Sequence, residues 1–248
     1  MSALRISRDA DVLRITLARP ETRNAFDAAL IAELAEAFVD VGKARAVVLA
    51  GDGPSFCAGA DIEWLRSAAE LDYEENLADA NALRRMLETV DGCQAPVVAL
   101  AHGHALGGGV GLVACADIAL AHPQTVFAFS EVKLGIVPAV ISPFALAKIG
   151  PSAARRYFVT GERFDAATAL RIGLVHEVAR DLDAALERLL GELLTAGPRA
   201  TRAAKRLVLD APLDGPETAS RIAERRASDE GQEGLRAFLE RRRPNWTS

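Results

Sequence analysis

Apolar and polar residues alternate with a period of two at the start of the chain. The segments 4–8 and 12–17 both follow this pattern, and the polar run Asp9 to Asp11 separates them. A period of two places every second side chain on the same face of a β-strand. We therefore predict that the chain opens with two strands arranged like a hairpin.

The pattern then changes to the period of a helix. From Asp27 to Val41, apolar residues recur at intervals of three and four, and Asp27 is placed to cap the first turn. Short buried strands are predicted next at 46–50, 96–101 and 118–121, with helical segments at 62–90 and from 110 onward between them. Strands and helices that alternate in this way predict an α/β fold.

Beyond residue 152 the pattern becomes almost wholly helical. The predicted helices there are 152–159, 165–172, 182–196, 198–209 and 216–238. We predict from this change that residues 1–195 form an α/β core and that residues 196–248 form a helical C-terminal segment.

Composition excludes several classes of protein. The 248 residues are half hydrophobic, yet no apolar run approaches the roughly 18 residues of a membrane-spanning helix, so we expect no membrane association. The formal net charge of −5 argues against nucleic acid as a partner. The N-terminus lacks the apolar run of a secretory signal, which favours a cytoplasmic location. Cys57, Cys93 and Cys115 are scattered, so neither disulfides nor a zinc site are expected.

Three segments concentrate unusual chemistry: 55–62, 103–111 and 129–135. The first two each place glycine at a sharp turn and then lead into a helix, whose first N–H groups have no acceptor within the helix. Such N–H groups, together with the helix dipole, attract negative charge. Two turns of this kind facing each other would stabilise one oxyanion, such as the enolate oxygen of a thioester.

The glycine run bears a partial likeness to nucleotide-binding motifs. No Gly-Lys-Ser/Thr follows it, so it is not a P-loop. The third glycine of G-x-G-x-x-G is replaced by Leu112 in one register and by Ala114 in another. Alanine is sometimes accepted there, and Glu131 follows at a suitable distance, so this alternative stays open. The lack of a subsequent βαβ pattern counts against it.

Taken together, the three segments resemble the crotonase family, also called the enoyl-CoA hydratase/isomerase family. The residues that carry the resemblance are Phe56 to Ile62, His102 to Gly109 and Glu131 to Pro138. The resemblance spans essentially the whole chain. It implies a crotonase-like spiral of ββα units, a helical C-terminal trimerisation subdomain, and assembly as a homotrimer or homohexamer.

The resemblance also implies the site residues. The amides of Ala60 and Gly108 would form the oxyanion hole, and Glu131 would be the acid/base. The predicted substrate-binding residues are Ala25, Ala58, Gly59, Asp61, Ile62, Gly107 and Gly111, with Phe238 contributed by the C-terminal helix of a neighbouring subunit. No metal and no separate cofactor are expected, because coenzyme A is part of the acyl-CoA substrate.

Gly111 departs from the family pattern. Family hydratases carry the first of two glutamates at this position, so here only Glu131 remains. A single glutamate is typical of Δ3,Δ2-enoyl-CoA isomerases, and it can also support hydration. The segment Ser130 to Pro143 is similar to bacterial methylglutaconyl-CoA-type hydratases of leucine and acyclic-terpene breakdown. We therefore expect an enoyl-CoA hydratase for a branched or carboxylated substrate such as 3-methylglutaconyl-CoA.

Several alternatives remain open from the sequence. The protein could be a double-bond isomerase, or a non-catalytic CoA- or RNA-binding scaffold of the same fold. Glu131 could be a surface carboxylate at the start of a turn, where negative charge is favourable. Asp61 is interpreted chiefly as a helix N-cap, and His104 as a histidine with a local hydrogen bond.

Overall fold

The computed structural model describes residues 2–247, which form two β-sheets surrounded by helices. The strands within that range are β1 (Leu4–Asp9), β2 (Val12–Leu17), β3 (Ala46–Gly51), β4 (Val97–Ala101), β5 (His104–Leu106), β6 (Ile118–Ala121), β7 (Val126–Ala128), β8 (Phe164–Asp165) and β9 (Glu177–Val178). The larger sheet has the order β1-β2-β3-β4-β6-β9, and the smaller one has the order β5-β7-β8. In the larger sheet only the β1-β2 pair is antiparallel.

Helices follow most of the strands and then fill the C-terminal part of the chain. The α-helices of the described range are α1 (Ala28–Val39), α2 (Ile62–Ala68), α3 (Tyr73–Asp91), α4 (Gly108–Cys115), α5 (Ser142–Thr160), α6 (Ala166–Arg171), α7 (Leu182–Leu193), α8 (Pro198–Leu209), α9 (Gly215–Ala227) and α10 (Asp229–Leu239). Short 3-10 helices lie at Pro20–Thr22, Glu131–Leu134 and Asn245–Thr247. The predicted α/β class is confirmed.

Two segments predicted as helical are each divided in two by local capping. The segment predicted as 62–90 breaks before α3, where the Asp72 side chain accepts a hydrogen bond from Glu75 N and the Glu75 side chain accepts one from Asp72 N. The segment predicted as 216–238 breaks at Ser228, whose hydroxyl accepts from Gly231 N at 3.1 Å. The prediction of a single helix at 216–238 was therefore wrong, because side chains that cap a helix end compete with continued helix. The mostly helical character predicted for 62–90 is confirmed.

The start of α5 and four short strands were not predicted. α5 begins ten residues earlier than expected and bends at Gly150, whose φ is 67°. Strands β5, β7, β8 and β9 contain only two or three residues each. Segments this short carry no measurable hydrophobic period, so their pairing depends on the surrounding fold.

Both faces of the parallel sheet are buried. On one face, Leu34 of α1 and Leu87 of α3 are fully buried in the main hydrophobic core. On the other face, Leu186 of α7 joins a second cluster with Val48 and Val98. Helices on both faces explain why β3 and β4 are continuous apolar runs instead of alternating ones.

The C-terminal helices are tied to this sheet by buried polar contacts. The Lys205 ammonium group on α8 lies 2.8 Å from Asp117 Oδ2, just before β6, and its side chain is 5% exposed. Arg45, just before β3, donates to the carbonyl oxygens of Leu194, Ala196 and Trp246 at 2.7–2.9 Å. The boundary proposed after residue 195 is thus crossed by several hydrogen bonds, and it remains a prediction.

The carboxyl ends of β3 and β4 lead into the two glycine turns. In parallel sheets, binding sites form at this end of the strands. Between residues 2 and 247, no helix is long and apolar enough to cross a membrane. Cys57, Cys93 and Cys115 are buried free thiols.

Candidate active site

A buried asparagine holds the chain that approaches the first glycine turn. Arg23 and Asn24 both adopt the left-handed conformation, with φ of 55° and 57°. Asn24 accepts a hydrogen bond from Arg19 N at 2.9 Å and donates to the oxygens of Asp52 and Ser55 at 2.9 and 2.8 Å. Asn24 was not among the site residues predicted from the sequence. Its one signal is that asparagine tolerates the left-handed region better than most residues.

The first glycine turn leaves one backbone amide free. The amide of Phe26 donates to Gly59 O at 2.7 Å, and the amide of Asp61 donates to Phe26 O at 2.8 Å. These two bonds flank Ala60. Among residues 2–247, no acceptor receives a hydrogen bond from the Ala60 amide. Gly59 permits this geometry, because its φ is +96° and a Cβ there would lie 3.1 Å from Leu106 O.

The predicted substrate-binding residues 25, 58, 61 and 62 all lie around this turn. Ala25 is buried, and the Ala58 amide donates to Arg23 O at 3.0 Å. Asp61 caps α2 by accepting from Glu63 N, which confirms the N-cap interpretation. Ile62, the first residue of α2, is 68% exposed. Their contact with substrate remains a prediction.

The second glycine turn presents another free amide. Gly107 adopts φ 51° and ψ −120°, and its amide donates to Ala128 O at 2.9 Å. α4 begins at the next residue, so the Gly108 amide is the first of the helix, and no protein group in the described range accepts from it. The positive end of the α4 dipole adds to the attraction for an anion. A Cβ at Gly108 would lie 2.6 Å from the Phe26 ring, so a side chain there would collide with that ring.

Hydrogen bonds join the two turns to each other. The Cys57 amide donates to His104 O, and the Leu106 amide donates to Cys57 O, both at 3.0 Å. A Cβ at Gly107 would lie 3.9 Å from the Gly59 Cα atom. The free amides of residues 60 and 108 therefore belong to segments in direct contact, and their role as an oxyanion hole remains a prediction.

Glu131 lies against the second turn. It is the first residue of the 3-10 helix Glu131–Leu134. Its Oε1 atom is 3.4 Å from the position that a Cβ on Gly107 would occupy. Its Oε2 atom is buried, and no hydrogen-bond donor in residues 2–247 reaches it. Burial raises the pKa of the Glu131 carboxyl above its ordinary value, and a hydrogen bond within the residue opposes the shift.

The flank of α4 at Gly111 is apolar. A Cβ at Gly111 would lie 2.6 Å from Ile141 Cγ2 and 3.7 Å from Leu87 Cδ2. Ile141 is 2% exposed and Leu87 is fully buried. The space that a side chain at position 111 would need is therefore filled by hydrocarbon, and no carboxylate accompanies Glu131 from this position. Sequence reasoning did not identify Ile141.

Two other predicted residues lie apart from these contacts. Phe238 is on α10, and 80% of it is exposed, so its own chain does not cover it. His104 Nδ1 is 3.1 Å from Ser55 Oγ, which confirms the local hydrogen bond. Burial lowers the pKa of His104, and the positive charges of Arg163 and Arg23 lower it further.

Known proteins of one family are similar to this chain over nearly its whole length. The family model described as enoyl-CoA hydratase/isomerase matches residues 7–248. The crystal structure of an enoyl-CoA hydratase from Shewanella pealeana superposes with a TM-score of 0.94 and 41% identity, covering 98% of this chain and 96% of that one. Pseudomonas aeruginosa AtuE superposes with a TM-score of 0.95 and 38% identity, covering 99% and 100%. The crotonyl-CoA hydratase of Syntrophomonas wolfei is 31% identical over 242 residues, which are 93% of this chain and 92% of that protein.

Proposed function

Because this chain belongs to the enoyl-CoA hydratase/isomerase family, we propose that it adds water across the C2=C3 double bond of an acyl-CoA thioester with Glu131 as its acid/base. The observation that carries this proposal is the position of the Glu131 carboxylate against Gly107, the residue that precedes a free helix amide. The amides of Ala60 and Gly108 lie on segments that are hydrogen-bonded to each other. An anion-binding pair of amides and a buried carboxylate are the two groups that this reaction needs.

In the first step, the two amides bind the thioester oxygen. This polarises the conjugated alkene and makes C3 electrophilic. As a water molecule bonds to C3, Glu131 takes one of its protons, and the π electrons of C2=C3 move toward the carbonyl oxygen. The negative charge that develops on this oxygen is stabilised by the amides of Ala60 and Gly108, and such a donor contributes roughly 3 kcal/mol in the transition state.

In the second step, the proton on Glu131 is transferred to C2. The enolate collapses to the thioester, and Glu131 returns to its carboxylate form. One carboxylate thus accepts and returns a proton, so the atoms of one water molecule are added in full. The raised pKa of the buried Glu131 carboxyl suits this exchange. A carboxylate with a raised pKa accepts the proton from water more readily, and the resulting acid can still return it to C2.

The apolar flank at Gly111 favours isomerisation as a second candidate. A single carboxylate can move a proton between C4 and C2 of a 3-enoyl-CoA without activating water. Ile141 and Leu87 leave no room for a second carboxylate at Gly111. Hydration remains the first proposal, because similar proteins over the full length are described as hydratases.

For the substrate, we propose a branched or carboxylated enoyl-CoA such as 3-methylglutaconyl-CoA. The support is the similarity of the segment from Ser130 to Pro143 to hydratases of that type, together with the missing glutamate at Gly111. For the assembly, we propose a homotrimer or homohexamer. Its support is a set of exposed apolar residues on the C-terminal helices, namely Val208, Ile222, Leu235, Phe238 and Leu239.

Ultraviolet absorbance of the conjugated thioester tests the proposal. The purified protein is mixed with crotonyl-CoA and, separately, with 3-methylglutaconyl-CoA, and both assays are repeated with Glu131→Gln. We expect the absorbance to fall with the wild-type protein and the rate to drop on the order of 10²-fold or more in the variant. If neither substrate loses absorbance, hydration is wrong. Formation of conjugated absorbance from a 3-enoyl-CoA would then establish isomerisation.

A further inference from the structure

We propose that Ile141 is a positioning residue, which packs against the bare flank of Gly111 and thereby sets the position of Glu131 relative to the Gly108 amide. The inference rests on the proposed function and assigns a role to a residue outside the reacting groups. It is carried by one close contact between the helix that bears the amide and the segment that bears the carboxylate.

Ile141 approaches Gly111 so closely that no side chain would fit at position 111. A Cβ at Gly111 would lie 2.6 Å from Ile141 Cγ2 and 3.2 Å from Ile141 Cβ. Carbon atoms in ordinary contact lie about 3.5–4.0 Å apart, so a methyl group at position 111 would displace Ile141 by roughly 1 Å. The close neighbour is a branch at the β-carbon. It cannot swing away as the end of a long side chain could.

Ile141 anchors the Glu131 segment on its C-terminal side. Residues 133–137 between them are all exposed and add little packing to hold Glu131 in place, so the buried Pro138 and Ile141 are the nearest anchors on this side. On the N-terminal side, Phe129 is fully buried and its ring lies 4.7 Å from that of Phe158. On the C-terminal side, Ile141 is buried at the start of α5, where its carbonyl accepts from Ala145 N at 3.1 Å.

Gly111 lies one helical turn after the oxyanion amide. It donates to Gly107 O at 3.1 Å, which joins it to the glycine turn that Glu131 touches. Gly108 and Gly111 belong to the same continuous helix α4, so a shift of Ile141 against Gly111 changes the separation between carboxylate and amide. A misplacement of about 1 Å can reduce a rate on the order of 10²-fold.

The test is a double-mutant cycle between positions 111 and 141. Gly111→Ala adds the methyl group, and Ile141→Leu removes the β-branch while keeping the number of side-chain carbons. We expect Gly111→Ala to lower kcat on the order of 10²-fold, with KM changed less than about threefold, because the reacting groups move while the amide pair stays. In the Ile141→Leu background, the same substitution should lower kcat by less than about tenfold.

A matched control separates this effect from the general consequences of adding a methyl group to a helix. Gly191 lies within α7, and a Cβ there would meet no atom within 4 Å. We expect Gly191→Ala to retain kcat within twofold. The cooperative thermal unfolding of each variant shows that the protein measured is folded.

A second pair of variants applies if Gly111→Ala does not fold. Ile141→Val keeps both branches at the β-carbon and should retain kcat within about threefold, whereas Ile141→Ala removes them and should lower kcat at least tenfold. Equal activity of the two variants, or a Gly111→Ala effect that is the same in both backgrounds, would overturn the inference.

The failure of this inference is distinguishable from that of the proposed function. If Glu131→Gln is inactive while Gly111→Ala is fully active, Glu131 is the acid/base but Ile141 does not position it. If Glu131→Gln retains full activity, the proposed function itself is wrong.

Discussion

The Oε1 atom of Glu131 lies 3.4 Å from the point where a Cβ on Gly107 would sit. The proposed acid/base therefore lies beside a backbone position that must lack a side chain for two separate reasons. One reason is the lack of space, because a side chain at Gly107 would press against the Glu131 carboxylate. The other is the backbone conformation, since φ is 51° and ψ is −120° at Gly107.

Gly107→Ala should reduce both activity and stability. The added methyl group is strained at this φ and presses on the carboxylate of Glu131. We expect a loss of about 1–3 kcal/mol in the free energy of unfolding. We also expect kcat/KM to fall on the order of 10²-fold. Chemical denaturation and the ultraviolet assay measure the two effects.

Gly150→Ala is the control that separates strain from crowding. Gly150 also has a positive φ, of 67°, but a Cβ there would meet no atom within 4 Å. It should therefore lose stability while retaining kcat/KM within about threefold. Similar losses of activity in both variants would contradict a specific contact between Gly107 and Glu131.

The activity should decline on the acid side with an apparent pKa above the ordinary glutamate value. Glu131 must be a carboxylate to take a proton from water, and burial raises its pKa from the reference value of 4.5. As the pH falls through this raised pKa, kcat/KM should fall with it. The measurement is the pH profile of kcat/KM. An acid limb at or below 4.5 would contradict the burial of this group in the working enzyme.

Glu131→Gln should stabilise the folded protein at neutral pH. In the folded state the Glu131 pKa is raised, so the wild-type protein loses stability as the pH rises from the unfolded pKa through the folded one. The variant lacks this loss. Its advantage in unfolding free energy should be fully present above the folded pKa and should disappear below the unfolded pKa. Denaturant titrations of both proteins across this range measure the difference, and a constant difference at all pH values would refute the explanation.

Lys205→Met should destabilise the packing of the C-terminal helices on the sheet. The Lys205 side chain is 5% exposed and lies 2.8 Å from Asp117 Oδ2, so its removal leaves a carboxylate that is only 25% exposed without its cation. We expect a loss of about 3 kcal/mol in the free energy of unfolding, because breaking a buried pair leaves an uncompensated charge. Urea denaturation measures this loss.

The control for Lys205 is an ion pair of the same kind on the surface. Arg84 and Glu88 pair on α3 with side chains that are 46% and 50% exposed. Arg84→Met should change the unfolding free energy by less than about 1 kcal/mol. Equal effects of the two substitutions would show that burial of Lys205 contributes nothing.

Phe238→Ser should weaken the proposed assembly without destabilising the isolated subunit. The Phe238 residue is 80% exposed, and Leu239 beside it is 78% exposed, so both are available to a second copy of the chain. Analytical ultracentrifugation should show wild-type trimers or hexamers and a shift of the variant to smaller species. Val39→Ser is the control, because Val39 is 74% exposed at the end of α1. A wild-type monomer would contradict the proposed assembly.

Most of the regular structure could be predicted because it depends on neighbours along the chain. The bounds of β2, β6 and α8 agree with the prediction residue for residue. The cap at Asp27 was also predicted correctly, and its side chain accepts from Leu30 N at 2.8 Å. An N-cap involves residues only three positions apart, so the local sequence is sufficient to identify it.

The order of residues along the chain is sufficient to identify the groups that this protein presents: two glycine turns, the helix that starts at Gly108, and Glu131. The surroundings of these groups depend on the folded arrangement, because residues distant in sequence fill the space around each of them. Ile141 packs beside Gly111, although Gly111 lies thirty positions earlier in the chain. The Phe26 ring packs against Gly108. In a close-packed interior, the space around each residue is filled by side chains from other elements. Which side chains these are depends on how separate elements pack together, and no local pattern encodes that.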